Sequence, residues 1–215
     1  MPMLALGALS SCAAATPLEH DRFTRIDAYL SQFSISNLPP LSVKFGTVEL
    51  HGEASKFVRP RDDELMKKGG APPEVRWDLP ADARATLLFL DLDAGRQPDS
   101  DAASGSLAPF VHSMWVDCVS SNQGTLTSNC REVVKWRSPG NMATKHNRYT
   151  FILFKQATSP AVVDTKAPGF KFGTRYSIAK LQRDNPGLTA IAYNFMLVNG
   201  TGQKKAAVKR KGRRG

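Results

Sequence analysis

Three apolar runs occupy the middle of the chain, each bounded by turn-forming residues. Leu87-Leu88-Phe89-Leu90 runs into Asp91, and Phe110-Val111 passes through His112 into Ser113-Met114-Trp115-Val116-Asp117. Arg148-Tyr149 opens the third, Thr150-Phe151-Ile152-Leu153-Phe154. Short runs rich in aromatic and β-branched residues predict buried strands. Their polar residues gather at the ends: Asp91 and Asp93 close the first run, His112 opens the second, and His146 and Tyr149 open the third. Polar groups at strand ends beside loops are how many small-molecule and anion sites are built.

On either side the periodicity changes. Phe23, Ile26, Leu30 and Phe33 share one face of a short helix that must end before Pro39-Pro40. Leu41, Val43 and Phe45 alternate with Ser42 and Lys44 as in a half-buried strand, which Val48 and Leu50 continue after Gly46. Residues 53–73 are polar, with Gly69-Gly70 and Pro72-Pro73, and read as a long loop. Val75 to Asp78 reads as a short strand and Pro80 to Ala85 as a turn. Loops are expected over 95–108, 120–130 and 136–147. Phe170 to Phe172 starts a turn or strand, Tyr176 to Gln182 forms a short helix stopped near Asn185-Pro186-Gly187, and Ala190 to Leu197 forms a last strand. The sum is mostly β.

Length and charge add a division into three parts. The 215 residues suit one large domain: an apolar arm over 1–22, a globular body over 23–200 and a basic tail over 201–215. The tail holds Lys204, Lys205, Lys209, Arg210, Lys211, Arg213 and Arg214 and no acid. Without these seven positives, the formal charge of +10 falls to about +3, so the basicity belongs to the tail. Its glycines would let it follow an irregular RNA surface, and each Lys or Arg on a phosphate releases counterions; a solvated tail or a nuclear-type address is the other reading. No apolar run approaches the ~20 residues of a membrane helix. Met3 to Ala15 is apolar but lacks a preceding Lys or Arg, which argues against an export signal. Cys12, Cys118 and Cys130 form no even set and no CxxC. Reduced, packed thiols are expected, with pairing of Cys118 and Cys130 across a turn as the alternative.

For chemistry, Asp91 and Asp93 at i and i+2 would share one strand face, and His112 could complete a cluster. A metal would want more ligands than this, so neither a metal site nor a cofactor is expected. No nucleophile elbow, phosphate-binding glycine loop or zinc pattern is present, and no catalytic residue is assigned. Trp77, Trp115 and Trp136 are expected as core and loop anchors rather than a base-stacking platform.

The order of motifs over Ile35 to Asn199 resembles the phosphatidylethanolamine-binding protein family, which includes the Raf-kinase-inhibitor proteins. Pro73-Glu74-Val75-Arg76-Trp77 is similar to its proline-then-tryptophan strand, and Asp91-Leu92-Asp93-Ala94-Gly95 to its D-P-D-A-P signature. His112 matches the histidine of the second motif, and Pro139 through Arg148-Tyr149 resembles the segment ending G-x-H-R-Y. The Phe170-Lys171-Phe172 region and the helix after it also resemble the family. The resemblance implies a large central antiparallel sheet, a smaller sheet and short peripheral helices. It also implies a pocket for a small anionic ligand at Asp91, His112, Pro139 and Tyr149, with Asp93 as a neighbour. Three departures stand out. Leu92 and Gly95 replace both prolines, His146 lies one position early, and no closing C-terminal helix is recognisable. A one-residue slip in a strand sends a side chain to the other face, so the pocket is expected to be vestigial. With the tail, this resembles the family's branch in the mitochondrial large ribosomal subunit. That branch implies a mitochondrial structural protein packed on neighbouring ribosomal proteins and on rRNA. The alternative is a free-standing head-group-binding regulator of kinase- or protease-inhibitor type, cytoplasmic or exported.

Overall fold

The computed structural model describes residues 30–31, 35, 38–50, 57–58, 70–95, 109–121, 124–126, 128–140, 147–157, 159–163 and 178–198. The arm, the basic tail, His146, Phe170 to Phe172 and most of the first helix lie outside the described residues.

Six strands make the large sheet: β3 (Phe57–Val58), β5 (Arg84–Asp91), β6 (Phe110–Cys118), β7 (Arg131–Val134), β8 (Asn147–Gln156) and β9 (Thr189–Val198), in the order β3-β9-β8-β5-β6-β7. All neighbours are antiparallel except β3, which runs parallel to β9. A smaller antiparallel sheet, β2-β1-β4, is built from β1 (Ser42–Phe45), β2 (Val48–Leu50) and β4 (Glu74–Arg76). Val48 to Leu50 does not prolong β1. Gly46, at φ 53°, turns the chain so that Phe45 faces Val48 in a hairpin. Helix α1 (Ile178–Asp184) ends at Asn185, and the chain turns through Pro186-Gly187 into β9. Gly187 has φ 84°, and a Cβ there would stand 2.6 Å from that of Ala157. Backbone and space both require glycine.

The apolar runs are continuous because the central strands are covered on both faces. On β5, Ala85, Leu87 and Phe89 join Phe151, Leu153 and Trp115 beneath the small sheet's Val43, Phe45 and Val75. Leu88 and Leu90 point the other way, to Met114, Ile152, Phe154, Leu30 and the α1 residues Ile178 and Leu181. The tryptophans are anchors as expected. Trp115 is buried, Trp136 stacks on Phe89 with centroids 5.2 Å apart, and Trp77 packs against the same cluster.

Strand β7 is absent from the sequence expectation. It is an edge strand whose Arg131 and Glu132 are exposed, which hides the alternation. Its pairing with β6 brings Cys118 and Cys130 face to face as a disulfide, against the expectation of reduced thiols. The loop closed by this bond packs on β4: Leu126 N–H donates to Val75 O at 2.8 Å, and Trp77 N–H donates to Gly124 O at 2.9 Å.

Candidate functional site

Three central strands bring their polar ends to one end of the large sheet. Asp91 is the last residue of β5 and lies opposite Tyr149 near the start of β8. His112 comes from β6 through a bulge. Phe89 pairs with Ser113 and Leu90 with Val111, leaving His112 without a partner between them. A bulge re-aims a side chain, and here it turns the imidazole towards Phe89, Phe110 and Tyr149, at centroid distances of 5.5, 5.0 and 5.0 Å. Pro139 is buried in the segment after β7, directly before Gly140. The Tyr149 hydroxyl donates to Gly140 O at 3.0 Å and accepts from Gly140 N–H at 3.2 Å, fastening that segment over the cluster. Asp91, His112 and Tyr149 therefore converge as the resemblance implied, with Pro139-Gly140 beside them.

Asp93 does not share their face. Strand β5 ends at Asp91, and the turn that follows takes Asp93 to the side of Arg148, which points opposite to Tyr149. There the Arg148 Nε and Nη2 donate to its two carboxylate oxygens, each at 2.7 Å, and the Arg148 N–H donates at 2.8 Å. This buried bidentate pair is a structural clamp behind the cluster. The two missing prolines suit the same turn. Leu92 N–H donates to Arg148 O at 2.9 Å, which a proline could not do, and Leu92 is buried in the second core cluster. Gly95 has φ 73°, outside proline's range.

Asn147 takes a place that sequence reasoning missed. It precedes Tyr149 by two residues and so points to the same face, where its Nδ2 donates to Asp91 Oδ2 at 2.9 Å. The other Asp91 oxygen accepts the Asp93 N–H at 2.8 Å. Period-two counting back from Tyr149 was the available signal.

The electrostatics follow from burial. Desolvation raises the Asp91 carboxyl to about 6, with Asp93 adding repulsion, despite hydrogen bonds from Asp93 N–H, Asn147 and Tyr149. Desolvation likewise lowers the His112 imidazole to about 4, although the backbone carbonyl of Arg137 is 3.3 Å from Nδ1. Burial and the nearby Asp91 charge hold the Tyr149 phenol well above its ordinary value. At neutral pH the cluster is thus a carboxylate, a neutral imidazole and a phenol.

The opposite end of the sheet carries a second polar network that sequence reasoning did not foresee. Asp117, at φ 56° in another β6 irregularity, accepts from Gln156 at 3.0 Å, Ala161 N–H at 2.9 Å and Arg131 at 2.9 Å. Burial opposes its ionisation, but these partners hold the carboxyl below its ordinary value. An open groove of about 490 Å³ lies at that end, lined in part by Asp82, Lys155, Gln156 and Thr189. Among the described residues no group of three His, Cys, Asp or Glu converges as a metal site, and no helix is long and apolar enough to cross a membrane.

Comparison with family sequence models and with curated proteins finds no match. Solved structures do match. A carboxypeptidase Y inhibitor, in complex with its cognate proteinase, aligns over 85% of this chain and 95% of its own, with 17% identity and a TM-score of 0.58. A phosphatidylethanolamine-binding protein from Plasmodium vivax aligns over 84% and 96%, with 15% identity and a TM-score of 0.57. Its counterpart from Plasmodium falciparum aligns over 87% and 99%, with 13% identity and a TM-score of 0.54. The chain therefore has the fold of the phosphatidylethanolamine-binding proteins.

Proposed function

We propose that this chain is a non-catalytic binding protein that takes a small polar head group at Asp91, His112 and Tyr149. The observation that carries this reading is the convergence of side chains from three strands, with a bulge spent on His112 and an otherwise costly carboxylate kept buried at Asp91. Perturbed titratable groups gathered at one strand end are candidates for a functional site. The fold likeness to a phosphatidylethanolamine-binding protein and to a proteinase inhibitor agrees with binding rather than turnover. A thermal-shift panel of ethanolamine, phosphate and phosphoethanolamine tests it. At least one should raise the unfolding midpoint of the wild type and leave the folded Tyr149→Phe variant unmoved. A panel without any shift overturns the proposal.

A second reading is favoured by one observation from the sequence, the seven positives and no acid over 204–214. Under it the body is a structural component of a mitochondrial large ribosomal subunit and the tail lies on rRNA phosphates. Sedimentation of native organelle extract discriminates: comigration with the large subunit, released by salt, supports the ribosomal reading, and a free species of the chain's 23.5 kDa removes it. The Cys118–Cys130 disulfide weighs against a reducing compartment for the mature protein.

A further inference from the structure

We infer that the Cys118–Cys130 bond latches a cover over the outer edge of the small sheet, and that reducing it frees this edge while the body stays folded. The place of the cover follows from the topology. In the order β2-β1-β4, strand β4 is an edge, and an edge left open presents unpaired backbone groups to other chains. Residues inside the disulfide ring occupy that position. Thr125 forms an antiparallel bridge with Arg76, and Leu126 N–H donates to Val75 O at 2.8 Å. Trp77 N–H donates to Gly124 O at 2.9 Å, and the Ser120 hydroxyl donates to Trp77 O at 3.0 Å. All four contacts come from residues between the two cysteines, which are 12 apart in sequence.

Little besides the bond favours this arrangement. Between the cysteines, Val119 and Leu126 are the only aliphatic residues in a stretch of Ser, Asn, Gln, Gly and Thr. Leu126 is buried in the cluster with Phe45, Val75 and Cys118, whereas Ser128 and Asn129 are exposed. So polar a stretch gains little by burial, and the covalent tie at its neck removes most of the open conformations that compete with the cover. Both sulfurs also have a place in the reduced form. Cys118 is enclosed as a small apolar side chain, and Cys130 Sγ lies 3.1 Å from Leu126 O, an acceptor for its thiol hydrogen. Cys130 is the less buried of the pair, so a reductant reaches it first. A dithiol's thiolate attacks Cys130 Sγ, forms a mixed disulfide and releases Cys118, which takes up a proton. The second thiol then closes the reductant's own disulfide and releases Cys130, so two electrons and two protons pass to the pair.

The test is amide hydrogen exchange, read by NMR, on the full chain purified without reductant and then treated with dithiothreitol. Alkylation followed by mass measurement establishes the redox state of each sample. Reduction should speed exchange at the Trp77 and Leu126 amides about a hundredfold. Amides of β5 and β8 should stay within a few fold of their oxidised rates. The double variant Cys118→Ala with Cys130→Ala should exchange at the reduced rate with or without dithiothreitol. Unchanged exchange at Trp77 and Leu126 after verified reduction overturns the inference. Acceleration that spreads through β5 and β8 also overturns it, because the bond would then hold the whole body rather than a cover. Alkylation of both Cys118 and Cys130 before any reductant is added would show that no latch forms, and overturns it too.

Discussion

At the scale of residues, the site is governed by what burial does to charge, and two groups pull stability in opposite directions with pH. His112 has a folded value near 4, below its ordinary 6.5. The unfolded chain therefore binds more protons between those values, and stability falls as pH drops through that window. Asp91 has a folded value near 6, above its ordinary 3.8. The folded chain binds more protons there, and stability rises as pH drops from 6 towards 4. Each effect is on the order of 3 kcal/mol, so they nearly cancel in the wild type. The expected outcome is that His112→Gln, which removes the opposing term, becomes more resistant to urea at pH 4.5 than at pH 7. A variant that loses resistance on acidification would show the Asp91 shift to be wrong. Behind the cluster, Arg148→Met leaves Asp93 buried without its partner and should cost about 3–5 kcal/mol in urea unfolding; the double change with Asp93→Leu should recover much of it.

At the scale of elements, β7 and the loop before it join the two sheets. The Cys118–Cys130 bond closes a loop whose backbone pairs with β4, the strand beside β1 in the small sheet. Replacing both cysteines with serine should lower unfolding free energy by about 2–4 kcal/mol, and reductant should lower the wild-type midpoint but not the variant's. If reductant leaves the wild type unmoved, the bond contributes nothing to the junction. Strand β7 was not legible in the chain, and its disulfide stood there only as the alternative to reduced thiols. Arg131-Glu132-Val133-Val134 is too short and too charged to show alternation, and its strand state comes from docking on β6. The helix before Asn185-Pro186-Gly187 and the three central runs were legible, because periodicity and turn residues are local properties.

At the scale of the whole molecule, the basic tail and the sheet body are separable in charge. Ending the chain after residue 200 should leave the unfolding midpoint within a degree or two. Under the ribosomal reading the loss should instead fall on affinity for single-stranded RNA, with the slope of log affinity against log salt becoming shallower by about 0.7 for each phosphate contact removed. An unchanged salt slope would mean that the tail does not bind RNA. The body's formal charge of about +3 is too small to substitute.

The chain by itself determined the mostly β class, the three buried central strands and the anchoring tryptophans. Hydrophobic period and turn chemistry report on each segment's own neighbours, whereas the gathering of Asp91, His112 and Tyr149 was only what the family resemblance implied. Only the tertiary structure decided which side chains face which way. A bulge at His112, a turn that sends Asp93 to Arg148, and a register that sets Asn147 on Asp91 each depend on pairing between distant strands. One residue of slip reverses a face. The charge left on the cluster was therefore decided by pairing across the sheet, although every residue that carries it is visible in the sequence.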